Sequence, residues 1–128
     1  MEQNFVTHDQ ALALKELGFD EPCFAYFKDE EFQYPNLYEP FKNSEQKSWF
    51  VTAPLKQQAF KWFRDKYNIH GIVAYYGKNQ WFIEVLDYKG NELIQIEDNT
   101  FWSYGEAESI CIDKLIQIIK ERNNESIQ

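Results

Sequence analysis

Residues 70–88, HGIVAYYGKNQWFIEVLDY, decide the fold class of this chain. Two runs rich in β-branched and aromatic residues, HGIVAYY at 70–76 and QWFIEVLDY at 80–88, flank Gly77-Lys78-Asn79. Glycine and asparagine tolerate the positive φ of a tight turn, so this spacing predicts an antiparallel hairpin. A second turn, Lys89-Gly90-Asn91, leads into ELIQIE and predicts a third strand over 92–97. Leu93 alternates with Ile94 and Ile96 there, so the pattern does not choose an inward face.

Helices flank this meander. Upstream, TAPLKQQAFKWFRDKY at 52–67 predicts a helix over 53–67, capped by Thr52 and with Pro54 in its first turn. Leu55, Ala59, Phe63 and Tyr67 form an i, i+4 line for the core, while Lys61 and Arg64 lie on the opposite side. Downstream, Ser103 and Glu106 form a capping box that opens the longest helix, reaching about Arg122. Its buried stripe is Ala107, Ile110, Cys111, Leu115, Ile118 and Ile119, widened by Ile112 and Ile116. The tail, 123–128, is expected to fray.

The N-terminal part is punctuated as clearly. Thr7 with Gln10 makes a capping box, Val6 and Ala11 a hydrophobic staple, and Gly18 a left-handed stop, so residues 8–17 read as a short helix. CFAYF at 23–27 reads as a strand ending near Lys28, and Trp49 to Val51 as a short one before Thr52. Between them, 29–48 reads as an irregular aromatic loop, because Pro35 and Pro40 break any ladder. The expected fold is α+β, a single domain over 1–128. It has three helices and an antiparallel sheet of three to five strands, in the order α-β-α-β-β-β-α.

The chain has 128 residues, a formal charge of -8 and a pI near 4.7. Ten acids against four lysines fall in 1–53, and eleven acids against nine basic residues in 54–128. Such a balance argues against a general nucleic-acid binder, which works by neutralising phosphates. Helix, three strands and helix over 53–122 is the order of double-stranded RNA-binding domains. Those domains grip phosphate with a basic start to the last helix, where this chain has Glu106 and Glu108.

Cys23 and Cys111 make no CxxC pair and sit in apolar runs, as buried thiols do. The first ten residues lack the basic and apolar regions of a signal peptide, and no apolar run matches a bilayer span. His8 and His70 have no second ligand at helical spacing, so neither metal nor cofactor is expected, and no catalytic residues are assigned.

Over FVTHDQALALKELGFDEPCFAYF, APLKQQAFKWFRDKYNIHG and SYGEAESICIDKLIQIIKE, the chain resembles a group of small proteins associated with phages and prophages of anaerobic gut bacteria. The resemblance implies no activity. It implies an accessory phage protein in the cytoplasm of a bacterial host. Together these readings point to a non-enzymatic interaction protein whose partner is another protein, such as a host or defence component. The contact residues expected are Tyr34, Tyr38 and Phe41 on the loop, with Lys61, Trp62 and Arg64 on the helix. The alternative is a module that binds nucleic acid or a small ligand through the basic, aromatic helix 53–67. Self-association as a homodimer through an uncovered sheet edge or an aromatic patch is also open.

Overall fold

The computed structural model describes residues 2–34, 40–45 and 49–127. The fold is α+β, and its three helices stand in their expected places: α1 (His8–Glu16), α2 (Lys56–Tyr67) and α3 (Tyr104–Ile127). Among the described residues, five antiparallel strands accompany them: β1 (Tyr26–Lys28), β2 (Glu31–Gln33), β3 (Phe50–Thr52), β4 (His70–Gly77) and β5 (Gln80–Leu86). They form two sheets, β2-β1-β3 and β4-β5, in place of one. Internal contacts gather the chain into two units, Met1–Ala59 and Phe60–Gln128.

In the first unit α1 is closed at both ends by its own residues. The Gln10 amide donates to the Thr7 hydroxyl at 3.2 Å, and the Thr7 amide donates back to Gln10 Oε1 at 3.0 Å. At the other end Gly18 takes φ 96°, its amide donates to the Lys15 carbonyl, and the Phe19 amide donates to the Leu14 carbonyl. These two bonds make a Schellman stop, and Phe19 is buried beside it. Leu14, Phe19, Ala25, Phe27, Val51 and Ala53 are among the buried apolar residues.

Strand β2 breaks the expected loop 29–48 near its start, pairing Phe32 with Phe27 of β1. Asp29, at φ 57°, makes the turn between them. Farther on, Phe41 exchanges two short backbone bonds with Cys23, and Asn43–Glu45 forms a turn of 3-10 helix. The outer edge of β3 is closed by side chains. Asn43 Oδ1 accepts from the Thr52 amide at 2.9 Å, and Lys15 Nζ donates to the Phe50 carbonyl at 3.2 Å. Thr52 is therefore the buried end of a strand, not a helix cap. Leu55 makes a bridge to Phe5, and this extended pairing delays the start of α2 to Lys56, three residues beyond the expected start.

The second unit contains the hairpin. Lys78 and Asn79 both have positive φ, 55° and 61°, and Gly77 pairs with Gln80, so the connection is the two-residue mirror-image turn. Helix α3 packs on both strands. Gly71 marks the closest approach: a Cβ there would lie 2.7 Å from the Phe60 ring and 3.0 Å from Cys111 Sγ. Ala107, Cys111, Ile112, Leu115, Ile116 and Ile119 are buried, and the helix continues through 123–127, where a frayed tail was expected. The Glu106 amide donates to Ser103 Oγ at 3.1 Å, which makes one of the two bonds of the expected capping box.

The strand expected over 92–97 does not form. A bridge from Glu92 to Leu86 and a bond from the Leu93 amide to the Val85 carbonyl start it. The chain then bows away, leaving a cleft of about 250 Å³ between 92–99 and β5. Asn99 takes over the ladder with its side chain. Its Oδ1 accepts from the Ile83 amide at 3.0 Å, and its Nδ2 donates to the Ile83 carbonyl at 2.8 Å. Phe101 completes the edge with two backbone bonds to Trp81, each 2.8 Å.

Candidate functional site

Of the six expected contact residues, the helix group does not form a binding face. Trp62 is 6% exposed, with its ring edge-on to Phe63 at 5.1 Å and to Tyr67 at 5.5 Å. The Lys66 ammonium lies 5.0 Å from the ring centre, and Phe60 and Phe63 are buried as well. A stacking surface needs exposed rings, so α2 offers none. Lys61 and Arg64 are exposed as expected, and Lys61 donates to the Asp65 carboxylate four residues on at 2.6 Å. Exposed pairs of this kind stabilise little, and the solvated back of the helix stays net positive, with Lys61, Arg64 and Lys66 against Asp65.

The loop group separates. Tyr38 lies outside the described residues. Phe41 is half-buried, edge-on to Tyr26 at 5.2 Å and anchored by its bridge to Cys23. Tyr34 is different: it is 42% exposed, directly after β2, and meets Phe5 edge-on at 5.5 Å.

Tyr34 stands at an apolar cleft of about 360 Å³ in the first unit, lined by Phe5, Pro22, Phe24, Tyr34, Ala53, Leu55 and Gln58. Each wall has a local cause. The bond from the Val6 amide to the Pro54 carbonyl and the Phe5–Leu55 bridge hold the floor. Pairing of β2 with β1 delivers Tyr34. Gln58 Nε2 donates to the Pro22 carbonyl at 3.0 Å, which fixes the wall that carries Phe24.

Phe24 and Leu55, 42% and 45% exposed, join Tyr34 at the rim. Sequence reasoning missed both. The i, i+4 spacing puts Leu55 on the core line of a helix that in fact starts one residue after it, and the apolar run CFAYF puts Phe24 in a strand that in fact starts at Tyr26. Gln58 is the main polar group in this lining, so the cleft can exclude water from an apolar guest while offering it little directional bonding. A second cleft, of about 410 Å³, also touches Phe5 and carries Glu2, His8, Glu30 and Lys56. Its charges are mixed in sign and select neither anions nor cations.

The two thiols are chemically quiet. Burial pushes Cys23 up to about 12, against the smaller opposing pull of the Thr52 hydroxyl. Burial does the same to Cys111, opposed by the Ile72 backbone. Neither supplies a thiolate near neutral pH.

No protein-family model matches the chain, and comparison with curated proteins and with solved structures finds no significant match. Among the described residues, no helix is long and apolar enough to cross a membrane.

Proposed function

We propose that this chain is a non-enzymatic interaction protein whose first unit receives an apolar side chain of a partner protein in the cleft between Phe5, Phe24, Tyr34 and Leu55. The observation that carries this reading is three large apolar residues exposed around one concavity. A folded protein leaves such a cluster in water at a cost, and an interface recovers it. The volume lies near the low end of ligand pockets, about 300–1,000 Å³, and suits one or two side chains better than an extended ligand. The resemblance to phage-associated proteins directs the search for the partner to a host or defence component in the bacterial cytoplasm.

The test compares proteins retained from bacterial host lysate by three immobilised chains: wild type, Leu55→Asp, and Tyr88→Ala as a control on the second unit. One or more proteins held by wild type and Tyr88→Ala and lost from Leu55→Asp is the expected result, with circular dichroism showing that the variant keeps its fold. Equal retention by all three overturns the cleft. Nothing specific retained, under conditions where a known pair survives, overturns the interaction reading. Titration with single-stranded and duplex oligonucleotides at low salt tests the nucleic-acid alternative, and salt-dependent binding would favour it over the cleft.

A further inference from the structure

The two sheets finish their edges differently. In β5, the amides and carbonyls of Trp81 and Ile83 and the carbonyl of Val85 point away from β4 and are bonded by Phe101, by the Asn99 side-chain amide and by the Leu93 amide. In an antiparallel ladder, residues directly opposite turn their backbone groups the same way, both toward the partner or both away. Tyr75, Val73 and Gly71 stand opposite these three, so their amides and carbonyls point outward from β4. No backbone partner meets them among the described residues.

Exposed edges are normally blunted with charge, proline or brevity. β2, with three residues and Glu31, fits that pattern. β4 does not: HGIVAYYG runs eight residues with no lysine, acid or proline. Its one irregularity is the register shift between Tyr75 and Gly77, beyond the three outward positions.

We infer that β4 pairs antiparallel with β4 of a second copy, about a two-fold axis at Val73, joining two hairpins into one four-stranded sheet. The register is self-complementary. Val73 exchanges both backbone bonds with its own copy, and Gly71 exchanges both with Tyr75. No like charges face across the seam, although each chain carries a net charge of -8. Because β5 is already closed, each hairpin has one open edge. Pairing therefore stops at two copies and does not grow into a fibre. This inference is independent of the cleft in the first unit.

The test is the weight-average mass of the full chain by sedimentation across concentration, together with hydrogen exchange at each concentration. Mass should rise from 15.4 kDa toward twice that value. The outward amides of Val73 and Tyr75 should gain protection in step with it, while the inward amides of Ile72 and Ala74 stay as they are. Val73→Pro removes the donor at the axis from both copies and should raise the dissociation constant about tenfold or more. Exchange on the wild-type chain stays decisive if that variant fails to fold. A mass of 15.4 kDa at every concentration overturns the proposal. So does a dimer in which the outward amides gain no protection, or one that a folded Val73→Pro chain forms equally well.

Discussion

At the scale of single residues, space and burial at the Gly71 contact decide more than charge. The glycine is there because Phe60 and Cys111 leave no room for a methyl group. Gly71→Ala should destabilise the chain by about 1–3 kcal/mol, since the ring and the strand must separate in a packed interior. Phe60→Leu, made together with it, should recover part of that loss, and denaturant unfolding of both single variants and the double variant measures the coupling. Additive losses would show that the contact is not the cause.

The buried thiols make a second residue-scale expectation. Both are held near 12 against an ordinary 9.0 by burial, so the folded state keeps its protons where the unfolded chain releases them. A raised folded value means that stability is intact below pH 9.0 and falls as pH climbs from there toward about 12. Replacing both cysteines with alanine should flatten that fall in unfolding measured against pH. Near neutral pH neither thiol should react with a soluble thiol reagent until denaturant is added.

At the scale of elements, asparagine side chains stand in for missing strands. Asn43 caps the edge of β3, and Asn99 caps the edge of β5 with two bonds to one residue. Asn99→Ala should cost about 1–3 kcal/mol, because it strips both partners from the Ile83 backbone. Asn99→Asp keeps the acceptor, loses the donor and should fall between the two; chemical denaturation ranks them.

The sequence carried both ends of α1 and the start of α3 well, but not the start of α2 or the end of α3. Thr7 with Gln10, Gly18 and Ser103 act through neighbours three or four residues away, and local spacing is what a sequence displays. It carried the 92–97 segment poorly. ELIQIE has strand composition, yet the ladder there is made by Asn99, whose two bonds depend on β5 lying alongside. Trp62 was legible in part: an i, i+4 line from Ala59 reaches Phe63, and adding the i+3 position brings Trp62 onto the same buried face. The cleft was least legible. It needs Phe5, Phe24, Tyr34 and Leu55 from four separate segments, and only Tyr34 stood out as exposed aromatic surface beforehand.

At the scale of the whole molecule, the net charge is negative and unevenly divided. Ten acids against five lysines in 1–59 and eleven acids against eight basic residues in 60–128 give -5 and -3, which sum to the chain's -8. Uncompensated like charge destabilises the folded state through self-repulsion, and salt screens that repulsion over distances of about 10 Å at 0.1 M. Attractive surface pairs such as Lys61–Asp65 are screened too, but that pair is well exposed on both sides and contributes little. Repulsion is therefore the larger of the two effects that salt removes. In dilute protein, where self-pairing is negligible, raising sodium chloride from near zero to about 0.3 M should lift the thermal midpoint by about 2–5 °C. A midpoint that falls with added salt would mean that attractive pairs outweigh the excess of acids.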